Sequence, residues 1–73
     1  MTQTEATAAA KTLLSNQTAL AFYDEDSVLL PYLIGIDTPS GELGVVATGH
    51  TYEDALDKAK IWLAMQKRKV AAN

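Results

Sequence analysis

The chain has 73 residues and 7.8 kDa, no cysteine, one histidine, and nine acids against six bases for a formal charge of −3. A chain this short forms one small domain that buries only about 60% of its unfolded surface, so a deep enclosed catalytic cleft is not expected. Without thiols there are no disulfides or thiolate metal sites, and with a sequence pI near 4.8 there is no general pull toward phosphate backbones. The first predicted element follows directly. Ala6, Ala9, Ala10, Leu13 and Leu14 share one face at helical spacing, Thr2 and Glu5 suit a capping box, and Ser15-Asn16 suits a stop. The face is mostly alanine and short helices are marginal in water. Residues 1–16 are therefore read as a helical or frayed, even disordered, segment ahead of a single small α+β domain over 17–73.

From Thr18 the period changes to two. Leu20 and Phe22 alternate with Ala19, Ala21 and Tyr23 in a first strand, and Asp24-Glu25-Asp26-Ser27 follows as a turn. Val28, Leu30, Tyr32, Ile34 and Ile36 line one face of a second strand, with Leu29 and Leu33 on the other. Pro31 lacks an N–H, so this strand either bulges there or begins its pairing at Tyr32. Asp37-Thr38-Pro39-Ser40-Gly41 reads as a turn. In a third strand Leu43, Val45 and Ala47 alternate with Glu42, Gly44, Val46 and Thr48.

The last element reads most clearly. Thr51 and Asp54 approximate a capping box, acids open the helix and Lys67-Arg68-Lys69 close it, so a helix is expected from about Tyr52 to Lys69. On a wheel of about 100° per residue, Ala55, Leu56, Ala59, Leu63 and Gln66 fall within about 60° of Tyr52 and form the expected core face. The expected fold is an α+β domain in the order α-β-β-β-α, its antiparallel sheet packed on the helices. The longest apolar run, Val28 to Ile36, is far short of the roughly 20 residues of a spanning helix. The N-terminus has no basic and apolar leader, so a soluble, cytoplasmic protein is expected.

Catalytic chemistry finds little support. His50 is the only imidazole and sits between Gly49 and the expected cap Thr51, where a turn histidine is the plain reading. Asp24-Glu25-Asp26 resembles the start of a calcium loop, but the glycine of its sharp turn and the bidentate glutamate six residues later are missing. The four glycines occur singly, without phosphate-cradle spacing. No cofactor and no metal are expected. One anomaly remains on the last helix: Ile61 falls at about 180° and Met65 at about 220° from Tyr52, with Trp62 on the border and Lys58 and Arg68 beside them. Apolar anchors with an arginine beside them have the composition of a protein-interaction hot spot. The alternative is that the N-terminal segment covers this strip. Candidate partner-binding residues are therefore Ile61, Trp62, Met65 and Arg68, with Asp24, Glu25 and Asp26 as an acidic complement to a basic partner.

Three resemblances extend this reading. The α-β-β-β-α order resembles the double-stranded RNA-binding domain, but Glu53 and Asp54 stand where that family opens its last helix with lysines, so the layout is implied and the RNA contact is not. Gly49-His50-Thr51-Tyr52-Glu53-Asp54-Ala55-Leu56-Asp57-Lys58-Ala59 is similar to a stretch of the HicB-type antitoxins, which implies a protein-binding module. In size and acidic, cysteine-free character the chain resembles the small early regulators of lytic phages, of the Xanthomonas-phage type that binds bacterial RNA polymerase. That resemblance implies a regulator that inhibits initiation and modulates termination, with RNA polymerase as partner; the acidic balance and the short apolar run predict no direct contact to nucleic acid or membrane.

Overall fold

A computed structural model describes residues 1–71, with side chains through residue 67. The elements are α1 (Gln3–Leu14), β1 (Ala19–Tyr23), β2 (Tyr32–Asp37), β3 (Leu43–Gly49) and α2 (Tyr52–Ala71). The strands form one antiparallel sheet in the order β1-β2-β3, and the expected α+β layout is what the chain adopts.

α1 starts where its caps require. The Thr2 hydroxyl accepts from the Glu5 N–H at 3.2 Å while a Glu5 carboxylate oxygen accepts from the Thr2 N–H at 2.9 Å, which satisfies donors that a helix start leaves without partners. Ser15, at φ 50° and ψ 44°, ends the helix in the left-handed region. Ala6 and Ala10 are fully buried, with Ala9, Leu13 and Leu14 packed against the same core. α1 also closes one edge of the sheet. The Ala21 N–H donates to Thr7 Oγ1 at 3.0 Å, and the Ala21 carbonyl accepts from Gln3 Nε2 at 3.0 Å, so β1 presents little open ladder to another chain.

β2 begins at Tyr32, after the proline, as the late-start reading requires. Val28, Leu29 and Leu30 are therefore not strand residues, which corrects the expectation of an alternating face from Val28. The Asp24 N–H donates to the Pro31 carbonyl at 2.7 Å and Asp24 Oδ1 accepts from the Asp26 N–H at 3.0 Å, so an Asx turn closes the loop and pairing stops at Tyr23 and Tyr32. A second correction concerns β3. Ile34 pairs with Ala47 and Gly35 with Val45, which leaves Val46 as an extra residue, a bulge that breaks the alternation. Val46 consequently packs against the core, whereas Val45, expected on one face with Ala47, is exposed.

Both helices cover one face of the sheet. The core joins Ala6 and Ala10 of α1, Ala19, Ala21, Ile34 and Ala47 of the sheet, and Tyr52, Ala55, Leu56 and Ala59 of α2. Alanines let helix and sheet approach closely but remove little apolar area each, and among the described residues Ile34 is the one large side chain that is fully buried. Gly49 sets the strand-to-helix corner: a Cβ there would lie 2.5 Å from the Ala55 nitrogen. Gly41, at φ +84°, supplies the left-handed position of the β2–β3 turn. At 1.5 Å per residue the 20-residue α2 is about 30 Å long, while strands of five to seven residues span about 16–23 Å. Helix α2 thus outruns the sheet. That is why Leu63 is only partly buried and Gln66 is exposed, a correction to the expected core face.

Candidate functional site

The inner face of α2 is fixed by Tyr52, Ala55, Leu56 and Ala59, all buried. Half a turn away, Ile61 is 61% and Met65 62% exposed, and Trp62 beside them is partly buried. α1 does not cover this strip. It packs on the other flank, where Ala9, Leu13 and Met1 face Leu56, Asp57 and Lys60 across an open furrow of about 250 Å³. Lys58 borders the strip and pairs with Asp54 at 3.3 Å. The fourth residue expected in this set, Arg68, has its side chain outside the described residues.

The acidic residues lie elsewhere. Asp24 is half-buried in its turn, and Glu25 and Asp26 are exposed at the end of the sheet where α2 begins, marked by Tyr32 and Tyr52, whose rings meet edge to face at 4.7 Å. Along α2, Ile61 and Met65 are nine and thirteen residues beyond Tyr52, about 14 and 20 Å. The six expected residues whose side chains are described therefore form two separate surfaces.

The structure adds residues that the pattern reading assigned to a strand. Val28 is 92% and Leu29 77% exposed in the loop beside the acids, with Tyr23 exposed at its base and stacked edge-on against Tyr32 at 5.1 Å. The clue available in the sequence was Pro31 four residues after the Asp24–Ser27 turn, which together favour a loop over a continued strand.

At the start of α2 the Asp54 N–H donates to Thr51 Oγ1 and Asp54 Oδ2 accepts from the His50 N–H, both at 3.0 Å. This is the expected capping box shifted by one residue at its return bond. The bond from the His50 N–H holds the Asp54 carboxyl below its ordinary range, as the Thr2 N–H does for Glu5. His50 itself is exposed in the corner between β3 and α2. Burial, with the nearby Tyr32, raises the Tyr52 hydroxyl, so it stays neutral and fills the core. Among the described residues, no three acids or histidines gather in a metal-binding arrangement, and no helix is long and apolar enough to cross a membrane.

Compared with known proteins, the chain matches no family model, no curated relative and no solved structure.

Proposed function

We propose that this protein is a small non-enzymatic regulator that works in the cytoplasm by occupying a surface on a larger bacterial protein, with Ile61, Trp62 and Met65 as its contact strip. The observation that carries the reading is the exposure of two large aliphatic side chains, Ile61 and Met65, on a helix whose opposite face is already satisfied by the core. Small domains have few large apolar groups to leave in water, and contiguous exposed ones mark interaction sites. RNA polymerase is the partner implied by the resemblance to small phage regulators, and inhibition of initiation with altered termination is the implied outcome.

A HicB-like neutraliser of a toxin is the second reading. The local similarity from Gly49 to Ala59 falls on one structural unit, the glycine corner, the Thr51 cap and the first two turns of α2. The two readings differ in partner, not in mode.

Binding of purified bacterial RNA polymerase to the immobilised chain tests the first reading. A Trp62→Ala variant that keeps its circular dichroism should bind at least about 30-fold more weakly, the equivalent of about 2 kcal/mol at a hot spot. Equal affinity for parent and variant contradicts the site; no binding by the parent contradicts the partner.

A further inference from the structure

The two edges of the sheet are finished differently. In an antiparallel ladder the backbone groups of successive residues turn alternately toward and away from the neighbouring strand. The Asp37 N–H donates to the Thr18 carbonyl at 3.0 Å and the Asp24 N–H to the Pro31 carbonyl at 2.7 Å, which sets the alternation: Leu33 and Gly35 bond toward β1, and Tyr32, Ile34 and Ile36 toward β3. On β1, Ala19 and Ala21 therefore turn outward. The Ala19 N–H donates to the Asn16 carbonyl at 3.2 Å, and Ala21 is bonded to α1 through both its N–H and its carbonyl. On β3, Gly44, Ala47 and Gly49 stand opposite Ile36, Ile34 and Tyr32 and turn inward, so Leu43, Val45 and Thr48 turn outward. Among the described residues nothing bonds these groups: the flanking hydrogen bonds end at the Glu42 carbonyl and begin again at the His50 N–H.

Open edges are ordinarily guarded by charge, proline or a bulge. The seven residues of β3 include no charge and no proline, and Gly44 and Val45 are exposed. The bulge at Val45 and Val46 guards against a regular strand, whose side chains would change face beyond the extra residue. A second β3 running antiparallel carries the same extra residue. With a two-fold axis between Val45 and Val46, bulge meets bulge, and Leu43 lies opposite Thr48 on both sides of the axis. Those two side chains share the sheet face away from the helices, because Thr48 pairs with Leu33, which is buried outside the helix-facing core, and Leu43 pairs with Asp37 on the same face as Leu33. Each new cross-strand pair is thus in register by face. The ends agree as well. Exposed Glu42 and His50 flank β3; antiparallel self-pairing sets Glu42 of each copy within one residue of His50 of the other, whereas parallel pairing sets Glu42 against Glu42.

We propose that the open edge of β3 takes a second copy of itself, joining two chains into one continuous antiparallel sheet about a two-fold axis at the Val45–Val46 bulge. The β1 edge is closed by α1, so assembly stops at two copies. The pairing uses neither Ile61 nor Met65, and it stands or falls apart from the contact strip.

Sedimentation equilibrium between about 1 µM and 1 mM should show the mass rising from 7.8 kDa toward twice that value and no further. Amide hydrogen exchange over the same range locates the seam: the Leu43 and Thr48 N–H groups exchange as open amides when dilute and slow at least about tenfold as the pair forms. Val45→Lys, which brings two ammonium groups together at the axis, should weaken association at least about tenfold at unchanged circular dichroism, because Val45 is exposed in the single chain. If that variant unfolds, exchange in the parent chain still decides. A monomer at every concentration overturns the pairing and leaves the contact strip on α2 as it stands. Mass growing beyond two copies, a dimer in which Leu43 and Thr48 exchange as fast as in the monomer, or a folded Val45→Lys variant that pairs as tightly as the parent overturns it as well.

Discussion

The interior of this protein and its two exposed apolar regions are built from opposite materials. Among the described residues, seven of the eleven buried hydrophobic ones are alanines, whereas Val28, Leu29, Ile61 and Met65 all stand more than half exposed. A domain with so little apolar area to bury would be expected to place its large side chains inside. With these groups outside, the alanine interior packs two helices closely on one sheet and the large aliphatic groups face solvent.

The comparison is broken most severely at Ile34, among the described residues the one large side chain with no exposure. Ile34→Ala should lower the unfolding free energy by about 2–5 kcal/mol in urea denaturation, because alanines around the cavity cannot collapse to fill it; a loss under 1 kcal/mol would mean that the interior is not organised around this residue. Next comes Gly49→Ala. Its Cβ would meet the Ala55 backbone nitrogen at 2.5 Å as well as Asp54 Oδ2 at 2.9 Å, so a loss of about 1–3 kcal/mol is expected, and a thermal melt equal to the parent's would show that the corner relaxes freely.

Removing the cap with Thr2→Ala should cost about 1 kcal/mol, measured as helix content and melting midpoint together. An unchanged midpoint would mean that α1 is held by its alanine face alone. Acid provides the mildest perturbation. Glu5, Glu53 and Asp54 are held below the ordinary carboxylate range, Glu5 and Asp54 chiefly by backbone N–H bonds from Thr2 and His50. Depressed folded values mean that the unfolded chain binds protons first. Their contribution is therefore complete near neutrality and is lost as pH falls through the folded values, so the urea midpoint should drop between about pH 5 and pH 3. A midpoint that rises over that interval contradicts these bonds.

Much of the architecture was legible because it rests on local chemistry. Thr2 and Glu5 announced the start of α1, the alanine spacing gave its buried face, and Pro31 allowed the late start of β2. The wheel angles of Ile61 and Met65 match their observed exposure. What was not legible depends on register and distance. The extra residue Val46 inverts which valine faces inward, and nothing in an alternating run marks a bulge. Val28 and Leu29 carry strand-forming side chains, and only the closure of the loop from Asp24 to Pro31 takes them out of the sheet. The acids of the loop and the strip on α2 could be named separately from the sequence, but their separation by half the length of α2 emerges only when Tyr32 meets Tyr52.

The division between an alanine interior and a surface of larger side chains is tested most directly by urea unfolding of the Ile61→Ser, Met65→Ser double variant in dilute solution. If these residues serve contacts and not folding, its unfolding free energy stays within about 1 kcal/mol of the parent's, the sum of two ordinary surface substitutions. A loss of about 4 kcal/mol or more, the size expected for two core truncations, would place them in the folded core and contradict the account.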